Sequence, residues 1–341
     1  MSASSITLAV DAMGGDHGVK VTVPAALTVL REDESLKIIL VGDEDILRTQ
    51  LKPWKQKEIL SRLEVYHASQ VVAMDDPPAQ ALRAKRQSSM WMAVDLVREG
   101  EAQACVSAGN TGALMAISRF LLKMVTGIDR PAIATFIPNL KGESAMLDLG
   151  ANVDCTARNL VEFAIMGSIL AQALLEKNSP TVGLLNVGEE AIKGNEVARV
   201  AAEALRAGPL NFYGNIEGHD IYLGTTDVIV CDGFVGNAVL KASEGLVQMV
   251  NKITHEEYER GFFSRLAAFF SWPVLSRIKT RLDPRRYNGA SFAGLRGTVL
   301  KSHGGADIFA FSCALRRAKK EVAQKVVSLI AESLEEARLG A

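Results

Sequence analysis

The stretch Cys105-Val-Ser-Ala-Gly-Asn-Thr-Gly-Ala-Leu-Met-Ala116 decides how the rest of the chain is read. Gln103–Val106 closes a short apolar run with the character of a buried parallel strand. Ser107–Gly112 (SAGNTG) is too polar and too rich in glycine for strand or helix, and Ala113–Leu122 resumes apolar residues at helical spacing. Strand, Gly-rich turn and helix N-terminus together make an anion site, because free N–H groups and the positive end of the helix dipole face whatever lies over the turn. Gly109 and Gly112 let backbone approach a ligand closely, and Ser107, Asn110 and Thr111 add side-chain donors. An ordinary strand-to-helix connection with an N-cap has the same local look. Recurrence along the chain separates the two readings.

Comparable turns follow Val10 (Asp11-Ala-Met-Gly-Gly-Asp-His-Gly18), Leu149 (within Asp148–Asp154), Asn186 (Val187–Gly194) and Cys231 (Asp232–Asn237). Strands are expected at Ile6–Val10, Leu36–Val41, Leu63–Tyr66, Ala132–Ile137, Ser144–Leu149, Thr181–Asn186, Asp227–Cys231 and Thr298–Leu300. Helices are expected at Val21–Leu30 with Pro24 in the first turn, Glu44–Gln50, a long Ala79–Gly100, Thr156–Leu175, Glu196–Ala207, Lys241–Arg260 and a long Ile308–Ala337. This alternation predicts an α/β fold with a mostly parallel sheet covered by helices on both faces. Ligands of such sheets sit at the strands' carboxyl ends, where the turns are expected to converge. A (β/α)8 barrel fits less well, because the helix at Lys241–Arg260 and its continuation break the rhythm. With no linker in sight, residues 1–341 read as one catalytic domain that includes a helical excursion over 238–283.

Composition narrows the class. A net charge of −1 argues against a nucleic-acid binder, whose footprint is basic. Four separated cysteines (Cys105, Cys155, Cys231, Cys313) without a CxxC pair point to a reducing compartment. The first strand begins within six residues, and no uncharged apolar run approaches the roughly 20 residues of a spanning helix. A cytosolic protein in contact with a surface is the expectation.

Missing motifs narrow the chemistry. No G-x-G-x-x-G follows a strand, no Gly-Lys dipeptide exists, and Gly289-Ala-Ser-Phe-Ala293 misses the nucleophile-elbow pattern at its last position. The five histidines are scattered and His255-Glu-Glu-Tyr-Glu lacks the second histidine of a zinc helix, so no metal site is expected. An enzyme of this kind works by binding two reactants side by side and letting one attack the other.

Several long motifs resemble one family: Ala9–Gly18, Val106–Met115, Leu147–Asp154, Cys231–Asn237, Tyr287-Asn-Gly-Ala290 and Gly294-Leu-Arg-Gly-Thr-Val-Leu-Lys-Ser-His-Gly304. The resemblance is to the bacterial phosphate acyltransferases, which transfer a long-chain acyl group from acyl carrier protein to inorganic phosphate in phospholipid synthesis. It runs from about Ile6 to the C-terminal helix. It implies a fold similar to phosphotransacetylase and isopropylmalate dehydrogenase, a homodimer, and neither metal nor organic cofactor. It also implies that the acyl phosphate passes to a membrane glycerol-3-phosphate acyltransferase.

In that reaction phosphate is itself the nucleophile, and the protein has to position it, stabilise an oxyanion and accommodate a thiolate. Phosphate is expected on Ser107–Gly112. Lys193 is the expected cation of the reaction centre, on a loop that leaves a strand end between Gly188 and Gly194, although a solvated loop lysine looks the same. Asn237 either donates to the oxyanion or caps the following helix. His303 is a phosphate donor, a proton source for sulfur, or a structural hydrogen-bond partner, since imidazole changes charge close to neutral pH. Asp11 and Asp148 are expected to orient turns, and Asp11 and Asp232 to border the substrates.

Gly261–Leu282 stands apart. Phe262, Phe263, Leu266, Phe269, Phe270 and Trp272 form an aromatic-rich stripe, and from Arg260 to Arg286 inclusive there are seven basic residues and one acid, Asp283. Large apolar groups beside arginines suit an anionic membrane surface. Packing into the core or a dimer partner, and a meeting with the acidic carrier protein, are the alternatives. The membrane reading places the protein on the inner face of the cell membrane. Two rival functions remain: a phosphotransacetylase of small acyl-CoA, which needs no such patch, and a non-catalytic membrane scaffold.

Overall fold

Strand alternation explains the layering. In β1 (Ile6–Asp11), Leu8 and Val10 face one apolar cluster while Ala9 faces another. In chain order there follow α1 (Val19–Glu32), β2 (Leu36–Gly42), α2 (Glu44–Leu51), α3 (Lys57–Leu60), β3 (Leu63–His67), α4 (Pro78–Ala84), α5 (Ser89–Arg98), β4 (Ala104–Ser107) and α6 (Thr111–Leu122). The middle of the chain holds β5 (Ala132–Asn139), β6 (Gly142–Leu147), α7 (Ala157–Leu175), β7 (Val182–Leu185), α8 (Glu196–Ala207), β8 (Phe212–Ile216), α9 (Asp220–Leu223) and β9 (Val228–Val230). Last come α10 (Gly233–Glu259), α11 (Phe262–Arg281), a 3₁₀ turn at Pro284–Tyr287, β10 (Ala290–Ala293), β11 (Thr298–Lys301), α12 (Ile308–Ala323) and α13 (Val326–Leu339). The computed structural model describes residues 5–339.

Among the described residues, eleven strands join one sheet in the order β3-β2-β1-β4-β11-β10-β5-β6-β9-β7-β8. One face carries α5, α6 and the first turns of α10; the other carries α1 and α12 beside α7, α8 and α13. The expected α/β architecture is therefore the observed one. The three antiparallel ladders lie together in the middle, where β10 opposes both β11 and β5, and β5 opposes β6. Those reversals divide the sheet. Strands β3, β2, β1, β4 and β11 point one way, and β6, β9, β7 and β8 point the other. The Gly-rich turns consequently do not converge: those after β1, β4 and β11 lie at one end of the sheet, those after β6, β7 and β9 at the opposite end.

Several local expectations are corrected. The long helix at 79–100 is two, because Ser88 caps α5 by accepting from Trp91 N and the strand-like segment at Gln70 pairs into the gap between α4 and α5. The C-terminal helix breaks at Gln324–Lys325, where Lys325 takes φ 53°. Pro24 sits in the second turn of α1, not the first. Asp232–Asn237 is no turn: Asp232 accepts from Val235 N at 2.8 Å and α10 starts at Gly233, so Asn237 is helical and caps nothing. β8 and β10 have no counterpart among the expected strands. Helix α7 is apolar and long enough to cross a membrane by composition, but 67% of it is buried as the core helix beneath β6 and β9.

α10 and α11 form a hairpin standing off the sheet end that bears Lys301. Its root is tied down where Arg281 Nη2 donates to the carbonyls of Asn139 (3.3 Å) and Leu140 (3.1 Å). Tyr258 and Ser271 hydroxyls meet at 3.2 Å between the two helices. No residue of α11 is buried, and Phe262 and Phe263 are 76% and 83% exposed.

Candidate active site

Three adjacent strands, β1, β4 and β11, deliver three glycine-bearing turns to one point. Asp11, at the end of β1, is buried and organises them: Oδ1 accepts from Ser89 Oγ and Oδ2 from Ser107 Oγ, both at 2.6 Å. Ser107 Oγ accepts in turn from Gly109 N at 3.0 Å. Burial raises the Asp11 pKa, with the Ser107 and Ser89 hydroxyls pulling the other way. Asp11 and Ser107 thus link the turns by hydrogen bonds. The turns touch closely. A Cβ on Gly14 would lie 2.5 Å from Asp11 Oδ2 and 2.8 Å from Gly109 N, and Gly15 takes φ 87° beneath Gly304. Asp16 N donates to Gly304 O at 2.9 Å, joining the first turn to the third.

Asn110 caps α6 by accepting from Ala113 N at 3.0 Å while its Nδ2 donates to Met74 O (2.8 Å) and Asp76 O (3.0 Å). Its side chain is fully occupied in joining the 74–76 loop to the helix start. The N–H groups of Thr111 and Gly112, first in α6, have no intrahelical acceptor and remain for a ligand. Gly112 packs against Pro78, which closes this side.

The residue that sequence reasoning missed is Lys301, the last of β11. It is 9% exposed, and its Nζ donates to Ala108 O at 3.2 Å and to Ser302 O. Burial lowers its pKa from 10.5 to about 8, against the pull of Asp11 and Asp16; Lys241 on α10 pushes the same way as burial. An ammonium so placed, on the turn that leads into α6, is a partly desolvated anion receptor. Beyond it, Asn288 braces the third turn, donating to Ser302 Oγ at 2.8 Å and accepting from His303 N at 2.9 Å. His303 is exposed at the rim and its Nδ1 accepts from Gly305 N at 3.1 Å, which leaves Nε2 as the nitrogen that can carry a proton outward.

Asp11, Ser107, Gly109, Asn110, Thr111, Gly112 and His303 are therefore brought together. Lys193, Asn237 and Asp232 are not. Lys193 is exposed on the loop after β7, six strand positions from β4, about 29 Å at 4.8 Å per strand, and at the opposite end of the sheet. Asn237 sits beside Gly150, and Asp232 at the start of α10, at that same far end. The buried Asp148 there accepts from Ile133 N (2.9 Å), Ala151 N (3.1 Å) and Asn152 N (2.7 Å), which ties the turn after β6 to β5. Among the described residues no three His, Cys, Asp or Glu side chains gather as a metal site.

The fold matches solved phosphotransacetylases. With one from Streptococcus pyogenes the TM-score is 0.58 at 16% identity, covering 97% of this chain and 94% of that one. A branched-chain phosphotransacylase from Enterococcus faecalis gives 0.58 at 16%, covering 93% and 99%. The architecture is thus the phosphotransacetylase-type α/β sheet. A family model described as "Fatty acid synthesis protein" matches residues 6–329. Proteins named phosphate acyltransferase are 54% identical over 330 residues in Bordetella parapertussis (96% of this chain, 94% of that protein) and 54% over 328 in Methylococcus capsulatus (96% of each). The chain belongs to the phosphate acyltransferases, acyltransferase enzymes of fatty acid and lipid synthesis.

Proposed function

We propose that the protein transfers a long-chain acyl group from the thioester of acyl carrier protein to inorganic phosphate, at the cluster built on β1, β4 and β11. The observation that carries the reading is the buried Lys301, whose Nζ donates to Ala108 O in the turn that runs into the open N–H groups of Thr111 and Gly112, in a chain of this family. Phosphate binds across those donors with its charge on Lys301. One of its oxygens attacks the carbonyl carbon, the C–S bond breaks as the C–O bond forms, and the thiolate takes a proton from His303 or solvent. Positioning and charge stabilisation supply the catalysis, so no protein nucleophile is needed. Asp11 and Ser107 keep the cradle in shape. Lys193, Asn237 and Asp232 have no part at this cluster within one chain.

The protein works as a homodimer on the inner face of the cell membrane, with Phe262, Phe263, Leu266, Phe269, Phe270 and Trp272 meeting an anionic bilayer. That placement suits a product with a fatty chain whose user, a glycerol-3-phosphate acyltransferase, is itself in the membrane. The test incubates purified protein with palmitoyl-(acyl carrier protein), with and without phosphate, and follows free thiol and acyl phosphate. Phosphate-dependent release of both is expected; no release from folded protein with a competent carrier refutes the reading.

A further inference from the structure

A groove of about 540 Å³ opens at the root of the α10–α11 hairpin, lined by Arg277, Thr280, Arg281, Arg286, Tyr287 and Glu143. Three of these are arginines and one is a carboxylate. Among the described residues none of the three arginines forms a salt bridge, whereas the neighbouring Arg285 is held by Asp283 and Asp307 at 2.7 and 2.8 Å. Two of the three are held in place. Arg281 donates to Asn139 O and Leu140 O, and Arg286 lies 5.7 Å from the Phe309 ring centroid. Tyr287 adds a hydroxyl that donates to Arg281 O at 3.2 Å. Pre-placed, unneutralised cations around an open concavity are a receptor for anionic surface, and they lose little side-chain freedom on binding.

The groove adjoins the candidate active site. Tyr287 leads directly to Asn288, which braces Ser302 and His303. From β6, which supplies Glu143, to β11, which ends in Lys301, is three strand positions, about 14 Å. A partner seated in the groove therefore stands beside the reaction centre without covering it, and has to hand its thioester across that gap on an extended arm. We infer that this groove docks the acidic face of the protein that carries the acyl thioester, an inference that rests on the carrier-donor reaction proposed above. A small thioester needs no cationic rim at this distance. A bilayer is the poorer occupant. Arg281 lies nine residues along α11 from Trp272, the nearest of the membrane-facing aromatics, about 14 Å at 1.5 Å per residue, and Arg286 lies beyond it, whereas Arg277 is five residues, about 8 Å, from Trp272. With a screening length of about 8 Å at physiological salt, a membrane meeting those aromatics reaches Arg277 but pulls weakly on Arg281 and Arg286.

The test uses the full-length protein with Arg277→Glu, Arg286→Glu and the double variant, plus Arg277→Gln as a mild change at an exposed position of α11. Arg281 is left alone because it ties the hairpin to the sheet. KM for acylated carrier is expected to rise about tenfold or more in the double variant, with kcat little altered. Turnover of the same acyl group on a protein-free pantetheine thioester is retained, and the salt dependence of carrier KM flattens. An unchanged carrier KM, or an equal loss with both donors, overturns the inference. So does loss of sedimentation with phosphatidylglycerol vesicles while carrier KM stays the same, which assigns the arginines to lipid. Absence of phosphate-dependent turnover of acylated carrier by the unaltered protein removes the underlying reaction, and the docking site with it.

Discussion

Replacing Lys301 with methionine separates stability from function. The side chain is 9% exposed, and burial lowers its pKa from 10.5 to about 8. At about 1.36 kcal/mol per pKa unit, keeping the ammonium charged at pH 7 opposes folding by about 3 kcal/mol. The sign follows from the direction of the shift. Because the folded-state pKa is the lower one, the penalty is fully present below about pH 8 and fades as pH rises toward 10.5, where the unfolded chain also loses its proton. Lys301→Met removes the penalty but strands the carbonyls of Ala108 and Ser302, at about 1 kcal/mol each. The net expectation at pH 7 is a gain of about 1 kcal/mol, or about 1 to 2 °C in Tm for a chain of this length.

Turnover moves the other way. Loss of a charge aimed at the reacting anion is expected to lower the rate about 10²–10³-fold. Phosphate links the two effects, because a bound anion relieves the charge penalty of Lys301. Added phosphate should therefore raise the Tm of the unaltered protein and shift Lys301→Met much less. Thermal unfolding at pH 7 and near pH 10, with and without phosphate, is read beside acyl phosphate formation. A methionine variant that is markedly less stable at pH 7, keeps its turnover, and responds to phosphate like the parent would refute the role given to Lys301.

Asn110→Ala should cost about 1–2 kcal/mol in denaturant unfolding, since it removes the cap of α6 and frees the 74–76 loop. Gly14→Ala forces a Cβ against Asp11 Oδ2 and Gly109 N, so phosphate-dependent turnover should collapse while far-ultraviolet circular dichroism stays close to the parent. Acidic replacement of Phe262, Phe269 and Trp272 together should abolish sedimentation with anionic vesicles and spare turnover of soluble substrate; unchanged sedimentation counts against membrane contact.

Much of the fold is legible in local pattern. The β-branched run of β1, the apolar run before Ser107 and the polar caps Asp43, Asn110, Thr156, Asn195 and Asp307 mark strand ends and helix starts within a few residues. β10 is four residues between Gly289 at φ 109° and Gly294 at φ 91°, so its only sequence signal is a pair of glycines around Ala-Ser-Phe-Ala. That short strand has a large effect, because it contributes two of the three antiparallel ladders. Ser88 is a plain N-cap signal for the break between α4 and α5, masked by helical spacing that continues on both sides.

The choice between Lys193 and Lys301 shows where local pattern runs out. Each lysine comes at or after the end of a short apolar strand and within three residues of a glycine in the turn that leads to a helix. Nothing within ten residues of either one states which way its strand points. That direction is fixed by partners far away in sequence: β11 beside β4, β7 beside β9, and the reversals at β10, β5 and β6 between them. Once the strands are paired, Lys301 is buried among three turns and Lys193 stands in solvent at the other end of the sheet. Lys193→Ala is accordingly expected to keep turnover within about twofold of the parent, in the range of surface substitutions remote from a site. Lys301→Ala, assayed in parallel, is expected to lose nearly all of it. If the two results are exchanged, the reaction centre lies at the far end with Asn237 and Asp232, and the cradle around Asp11 is structural.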